Sequence, residues 1–316
     1  MKLTIAYLTF RQHPRFEWFA ASLAREFRAM PDLDANDVQV VVIDGRLWHD
    51  LTRGQELLDA AAGRIGFEHH PPKSSPWQGP YRQTSKDYFC AASCRNTAFA
   101  YARASHVAFV DDLSVLLPGW LKSHVHAAIH GYVLCGTTCK MHKIEVDFEG
   151  SIVSAVHFPP GQDSRLSKIG PGLQTCAGSW LFGGTFSVPL GLALAVNGFD
   201  EQNDTIGGED YDFGIRLERA GAVVRISRDC GTYEDENGHH AEAPMVRLDK
   251  PVAGWEGPYS SNLLLNKLLK ETARSWTLGN NYKLSELRAY VLAGGAFPEP
   301  EKDLKHWVDQ QPLSEM

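Results

Sequence analysis

Two neighbouring aspartates, Asp111 and Asp112, directly follow a short apolar run at residues 106–110. We expect this run to be a buried strand, and ligands of open α/β sheets bind at the carboxyl ends of strands. Two adjacent carboxylates there suit a hard divalent cation, which prefers oxygen ligands and could neutralise a leaving diphosphate. A solvated acidic turn, in which one aspartate caps the next helix, explains the same pattern equally well.

A second acidic motif, Glu209 and Asp210, follows Gly207 and Gly208 at the start of a helix that we expect to reach Ala220. The glycines permit close approach of another backbone. A carboxylate held at a rigid helix end could act as a general base. Acidic residues in a first turn also stabilise a helix through its dipole, without any catalytic role.

Two weaker candidates accompany these motifs. Arg95, next to Asn96 in a predicted long helix, carries a planar guanidinium that matches phosphate or carboxylate, although a surface arginine explains it more simply. His239 and His240 lie in a polar stretch after the last predicted strand. A neutral imidazole could complete a metal site begun by carboxylates, although most loop histidines are only solvated.

The elements that must position these residues alternate between strands and helices. Strand, helix and strand within the first 43 residues predict a βαβ unit and hence a parallel sheet. Apolar runs predict strands at 3–8, 38–43, 65–69, 106–110, 132–135 and 223–227, and a hairpin at 144–156. Helical spacing predicts helices at 16–27, 85–104, 120–131, 192–196, 208–220, 263–276 and 284–292. We therefore expect one α/β catalytic domain at 1–240 and a loop-and-helix extension at 241–316.

Composition and missing motifs exclude several classes of protein. The net charge of −7 argues against binding of nucleic acid or membrane through bulk positive charge. The absence of GxxxxGK[ST] and GxSxG motifs excludes ordinary P-loop NTPases and serine hydrolases, and a Rossmann cofactor would lack its glycine signature. No apolar run reaches the roughly 18 residues of a membrane span, and no signal-peptide pattern begins the chain. We therefore expect a cytoplasmic protein with no transmembrane segment.

Taken in order along the chain, the motifs resemble those of one family. Thr9-Phe10-Arg11, Asp44, Arg95-Asn96, Asp111-Asp112, Gly183-Gly184 and Gly208-Glu209-Asp210 follow one another at the expected places. Over about residues 1–240 the chain resembles the nucleotide-sugar glycosyltransferases of the GT-A fold, family 2-like. The second half of this region resembles the C-terminal half of the β-1,4-galactosyltransferase group, and residues 183–221 are the most specific part of the resemblance. The resemblance implies an α/β fold of GT-A type, with a Rossmann-like, mostly parallel central sheet flanked by helices and a C-terminal helical appendage.

The resemblance also implies roles for individual residues on the donor side. Those expected to bind the nucleotide sugar are Thr9, Arg11 and Asp44 for the base and ribose, Arg95 for the diphosphate, Asp111 and Asp112 at the D-x-D metal motif, and Trp180, Gly183 and Gly184 around the sugar. The third position of the motif is Leu113 here, which departs from the family pattern. Mn²⁺ or Mg²⁺ would therefore be held by Asp112 and Asp111 with His239 or His240.

On the acceptor side, the resemblance makes Asp210 the general base, with Glu209 beside it. The expected activity is transfer of a hexose from a nucleotide-diphosphate donor, a UDP-sugar by resemblance, to an acceptor hydroxyl with inversion. The acceptor remains open between a glycan, a protein, a small molecule and a modified nucleobase. A non-catalytic module that binds a nucleotide sugar or glycan is the alternative; Leu113 favours it, and the retained Glu209-Asp210 pair argues against it.

Overall fold

The structure, a computed structural model of the chain, describes residues 1–48, 50, 52–74, 78–79, 89–201, 208–241 and 283–297. The strands in this part of the chain are β1 (Leu3–Thr9), β2 (Val38–Asp44), β3 (Glu68–His70), β4 (His106–Asp111), β5 (Ser114–Leu116), β6 (Val133–Cys135), β7 (Thr138–Val146), β8 (Ile152–His157), β9 (Gln174–Thr175), β10 (Thr185–Pro189), β11 (Val224–Ile226) and β12 (Thr232–Asp235). The helices are α1 (Phe16–Arg28), α2 (Arg53–Ala61), α3 (Ala91–Tyr101), α4 (Trp120–His130), α5 (Leu190–Ala195), α6 (Glu209–Arg219), α7 (Glu236–Ala241) and α8 (Leu284–Leu292).

The main sheet has eight strands in the order β3-β2-β1-β4-β10-β6-β11-β9. The first four are mutually parallel, and β10 runs antiparallel between β4 and β6. Thr9 of β1 pairs with Asp44 of β2, and Leu8 pairs with Asp111 of β4. The polar residues that end these three strands therefore lie along one edge of the sheet. A smaller sheet has the order β5-β12-β7-β8.

Both faces of the main sheet are covered, which explains why its central strands are continuous apolar runs rather than alternating ones. All seven residues of β1 are buried. On one face Tyr7 packs against Phe16 and Phe19 of α1. On the other face Phe109 of β4 packs against Phe99 of α3.

The C-terminal helix α8 belongs to the same hydrophobic core as α3. Leu284 and Leu287 are buried in the cluster that contains Phe99. The Asn197 side chain accepts a hydrogen bond of 2.7 Å from the Leu284 backbone N–H, which caps the start of α8. This part of the predicted extension is therefore packed on the α/β core; the predicted helix 263–276 lies outside the described residues.

The α/β fold predicted from the sequence is confirmed, with differences at particular elements. The long helix expected at 85–104 is described only from 91 to 101, because the backbone of Cys90 and Ala102 is extended. The third strand is found at 68–70 instead of 65–69. The short strands β5, β9, β10 and β12 were not predicted. None of the described helices is long and apolar enough to cross a membrane.

Candidate active site

The candidate site lies where β1 and β4 end, beside the segment that enters β10 and the first turn of α6. Asp111 donates its backbone N–H to the Gly184 carbonyl at 3.2 Å, and Asp112 donates its own to the Leu8 carbonyl at 3.1 Å. The structure thus brings together the D-x-D region and the Gly183-Gly184 pair, which are more than 70 positions apart in the chain.

Asp112 is held by the end of β1. Its carboxylate accepts hydrogen bonds from Thr9 Oγ1 at 2.8 Å and Arg11 Nε at 3.0 Å. Its side chain is only 13% exposed. Burial raises the pKa of Asp112, and the contacts with Arg11 and Thr9 oppose that rise. Thr9, Arg11 and Asp112 therefore form one fixed unit at the candidate donor side.

Leu113, which departs from the D-x-D pattern, turns its side chain into the protein. Its φ is 60°, in the left-handed region that L-residues other than glycine rarely adopt. The residue is 1% exposed, and its backbone is tied to Pro14 and Asp235 by hydrogen bonds of 2.9 and 3.1 Å. Its side chain lies against Gly238. An acidic side chain without a partner at this buried position would lower the free energy of unfolding, because a buried charge loses its hydration. This accounts for the apolar residue.

Arg95 lies beneath the glycine pair and is 3% exposed. Its guanidinium bonds Glu209 Oε1 at 2.7 Å and Asp111 Oδ1 at 3.4 Å. A Cβ atom on Gly183 would be 2.2 Å from Arg95 Nη2, so only glycine fits over this arginine. Arg95 thus connects the two acidic motifs of the sequence, and its side chain is directed at carboxylates in the structure as it stands.

Glu209 and Asp210 form the first turn of α6, which begins after Gly208 at a φ of 82°. Asp210 Oδ2 accepts the Gly183 N–H at 2.7 Å. Its Oδ1 accepts the Tyr211 N–H, also at 2.7 Å. Each carboxylate oxygen has a second lone pair, so both can still accept a proton or hydrogen bond. Burial raises the pKa of Glu209, whereas its contact with Arg95 opposes that rise.

Helix α6 is seated by a contact between two glycines. A Cβ on Gly214 would be 2.0 Å from the Gly178 carbonyl oxygen, and one on Gly178 would be 2.1 Å from the Gly214 carbonyl oxygen. The Gly178 N–H also donates to Glu218 at 2.9 Å. These contacts fix α6, and with it Asp210, against the turn that precedes Gly183.

Asp44, expected to bind the base and ribose, is fully buried at the end of β2. Its carboxylate accepts hydrogen bonds from Arg53 Nε at 2.7 Å and the Arg46 N–H at 2.9 Å, and His69 Nε2 lies 3.3 Å away. The register places Asp44 beside Thr9. Asp44 therefore lies on the expected edge of the sheet, inside an ionic network.

Three further expected residues, and Gly184, differ in how the structure places them. Trp180, expected to stack on sugar, is half-buried and packs against the hydrophobic core. His239 and His240 belong to α7, and their side chains lie outside the described part of the structure. Gly184 lies against Thr138, since a Cβ there would be 2.6 Å from Thr138 Oγ1.

Sequence reasoning missed a buried ion pair beside the site. Arg165 and Asp163 contact at 2.5 Å, with side chains 5% and 2% exposed. Arg165 donates to the carbonyls of Trp180 and Gly136. The pair lies in a Gly- and Pro-rich stretch, 159–172, for which the sequence predicts neither a helix nor a strand. Its D-x-R spacing is too common a pattern to have revealed it.

Glu234 of β12 is a second residue that the sequence did not reveal. It is 8% exposed and, with Asp112 and Glu209, adds negative charge near Asp111. Burial and these neighbours together raise the pKa of Asp111 to about 7, against the opposing effect of Arg95. Glu234 is itself paired with Lys140 Nζ at 3.4 Å.

The carboxylates at the site suit a hard divalent cation, which would bind through the partly exposed Asp111. In the described part of the chain, no group of three or more His, Cys, Asp or Glu side chains could enclose a metal ion. Asp111 is 33% exposed, whereas Asp112 behind it is engaged with Arg11. Mg²⁺ bound with a nucleotide takes one or two carboxylates, and phosphates and water supply the remaining ligands. Asp111, with Asp112 behind it, is suited to that kind of binding.

The known proteins to which this chain is similar share its fold. No protein-family model matches the chain, and no curated protein matches it significantly. Among solved structures it is similar to residues 1–349 of S. aureus TarS in complex with UDP-GlcNAc, with 14% identity, a TM-score of 0.51, and coverage of 92% of this chain and 73% of that one. For TarS 1–349 without a named ligand the identity is 12%, the TM-score 0.51 and the coverage 100% and 89%.

TarS is a glycosyltransferase of the GT-A type, so the fold class expected from the sequence is confirmed. The likeness of residues 183–221 to the β-1,4-galactosyltransferase group stays a prediction. At this level of identity, what the two chains share is the GT-A type of architecture.

Proposed function

We propose that this protein transfers a sugar from a UDP-sugar to an acceptor hydroxyl. The observation that carries the proposal is the connection between two acidic motifs at one sheet edge. Asp111 and Glu209 share the buried Arg95, and Asp210 is fixed by the backbone N–H of Gly183. The similarity in fold to TarS, crystallised with UDP-GlcNAc and with UDP, supports a UDP-sugar as donor.

On the donor side, the sheet edge that carries Thr9, Arg11 and Asp44 is the proposed place of the nucleoside end, and the fully buried Asp44 supports this edge through its ionic network. Asp111 and Asp112 lie at the diphosphate and would hold Mg²⁺ or Mn²⁺, with His239 or His240 as a further candidate ligand. The cation would neutralise charge on the departing diphosphate.

On the acceptor side, Asp210 is the general base. In a single displacement the acceptor oxygen forms a bond to the anomeric carbon while the bond from that carbon to the UDP oxygen breaks. The acceptor proton passes to the Asp210 carboxylate, and the electron pair of the broken bond leaves with UDP. Attack opposite the leaving group inverts the anomeric configuration, so an α-linked donor gives a β-linked product.

Glu209 and Arg95 act as positioning residues. The Glu209 side chain is 13% exposed and directed at Arg95, whereas the hydrogen bonds of Asp210 within the described part of the chain come from backbone N–H groups at 2.7 Å. Asp210 is therefore the better placed of the two acids to take a proton from a bound hydroxyl. Arg95 keeps Glu209 and Asp111 at a fixed separation and partly neutralises both.

The test compares Asp210→Asn with Asp212→Asn. Asp212 lies on the same helix and is paired with Arg216 at 2.7 Å, so it is a matched control. We expect Asp210→Asn to lower UDP release from the active UDP-sugar by at least about 100-fold, since general-base catalysis contributes that much. UDP binding, measured by calorimetry, should stay within twofold. Asp212→Asn should leave both quantities within twofold.

Three results would revise the proposal. Loss of UDP binding in Asp210→Asn would contradict its assignment as base. Binding of UDP-sugars without any release of UDP, with or without added acceptors, would favour a non-catalytic module. If NMR shows that the first sugar released keeps the α configuration of the donor, the single displacement is contradicted.

A further inference from the structure

Two aromatic residues that adjoin the candidate base along the backbone have exposed side chains: Phe182, which precedes Gly183, and Tyr211, which follows Asp210 and is 43% exposed. Phe182 is 40% exposed, and its carbonyl carbon is bonded to the Gly183 nitrogen whose N–H donates to Asp210 at 2.7 Å. Single exposed apolar residues are common on protein surfaces and need no function by themselves. The ring of Phe182 is, in addition, held by a buried cation.

The ring of Phe182 is supported on one face by a buried cation. The Arg165 guanidinium carbon lies 4.0 Å from the ring centroid. Arg165 is itself fixed by Asp163 at 2.5 Å and by the Gly136 carbonyl at 2.7 Å, and it also donates to the Trp180 carbonyl. Because the inner face rests on this fixed guanidinium, the exposed area of Phe182 is presented as a rigid platform.

Trp180, the aromatic residue that the sequence favoured for sugar stacking, does not offer such a surface. It is half-buried and packs against the hydrophobic core. Its contribution is the carbonyl that binds Arg165, which in turn supports Phe182.

We propose that Phe182 is the platform on which a pyranose ring of the acceptor stacks, so that the acceptor is a carbohydrate. This inference rests on the proposed function. The axial C–H groups make one face of a pyranose apolar and slightly positive, which suits the negative π face of an aromatic ring. The equatorial hydroxyls of a stacked pyranose point outward from its rim, where the neighbouring Asp210 can take a proton.

The chain provides a matched control for this platform. Phe148 is 76% exposed and also lies on a guanidinium, with Arg64 at 4.1 Å from its ring centroid. It follows the C-terminal end of β7, whereas the first residue of that strand, Thr138, lies against Gly184 at the site. Nine residues of strand separate the two ends by roughly 30 Å. Phe148 therefore has the same local chemistry without the site.

The test uses saturation-transfer NMR on the full chain with saturating UDP and Mg²⁺. The probes are the methyl glycosides of glucose, N-acetylglucosamine, galactose and mannose, with the open-chain polyol sorbitol for comparison. We expect at least one pyranoside to give a signal that exceeds that of sorbitol. The signal should fall at least fivefold in Phe182→Ala and in Phe182→Leu, which keeps apolar bulk but has no π face. Phe182→Tyr and Phe148→Ala should retain it.

The outcomes separate this inference from the proposed function. If UDP binds but no pyranoside does, if sorbitol binds equally well, or if Phe182→Leu keeps the full signal, the carbohydrate platform is wrong. A loss of UDP-sugar binding in Phe182→Ala would show that the ring contacts the donor instead of the acceptor. That result would also overturn the carbohydrate platform. If UDP and UDP-sugars fail to bind the wild-type protein, the proposed function itself fails, and the platform with it.

Discussion

Replacing Gly183 with alanine tests whether Arg95 connects the two acidic motifs. The added Cβ would lie 2.2 Å from Arg95 Nη2 and 3.0 Å from its Cζ. Real Cβ atoms do not approach other heavy atoms so closely, and Arg95 is buried and paired on both sides. The guanidinium must therefore move away from Glu209, from Asp111, or from both.

The expected size of the effect follows from the burial of the charges. Loss of one partner from a buried ion pair destabilises a protein by about 3–5 kcal/mol, because the remaining charge is left without compensation. For a chain of 316 residues, an unfolding entropy of about 2.1 cal/mol/K per residue means that each kcal/mol lowers Tm by roughly 1.5 °C. We therefore expect Gly183→Ala to lower Tm by about 5–8 °C. UDP release should fall at least tenfold, since Glu209 and Asp111 lose their common partner.

The assay is thermal unfolding followed by circular dichroism, together with UDP release at saturating donor. Gly191→Ala is the control, because nothing lies within 4 Å of a Cβ at that exposed position of α5. That variant should be neutral or slightly stabilising, since alanine favours a helix over glycine. If Gly183→Ala has the same Tm as the wild type and releases UDP at the same rate, Arg95 does not lie beneath Gly183.

Two further predictions concern stability. Gly214→Ala should destabilise the protein by about 1–3 kcal/mol, as overpacking does, because the new Cβ would lie 2.0 Å from the Gly178 carbonyl oxygen; urea unfolding that matches the wild type would contradict the glycine contact. Burial lowers the pKa of His106 and of His124 to about 3. Since the unfolded state then binds more protons at these two sites below pH 6.5, both histidines lower the stability as pH drops from 6.5 towards 3. At pH 5.5 each histidine costs about 1.4 kcal/mol. Asp111, whose pKa is raised to about 7, acts in the opposite sense over this range. The check is therefore the difference between two proteins in urea titrations at pH 7.5 and 5.5: on acidification His124→Met should lose about 1.4 kcal/mol less than the wild type, and an equal change in both would contradict the burial of His124.

The sequence predicted those elements whose signal is local. Helix α1 has apolar residues at helical spacing, and β1, β2 and β4 are short apolar runs that end in polar residues, so their type and order were readable. The strands β5 and β9 have three and two residues, which is too short for a periodic pattern. They exist because neighbouring strands already provide hydrogen-bonding partners.

The candidate site was readable as a set of residues but not as a set of contacts. From the sequence, Arg95 could be a residue that binds phosphate or a charged residue on the surface of a helix. In the structure it is buried between carboxylates from two distant parts of the chain. The left-handed conformation of Leu113 and the support of Phe182 by Arg165 likewise depend on tertiary packing. No spacing rule in a single sequence expresses such contacts.

The measurement that tests the central claim most directly is UDP release from a panel of UDP-sugars, with and without Mg²⁺ and Mn²⁺. Water can serve as a slow acceptor, so the natural acceptor need not be known. We predict that wild-type protein releases UDP from at least one of these donors and that Asp210→Asn does not. Absence of release from every donor, combined with no change in Tm on addition of UDP or any UDP-sugar, would contradict the account.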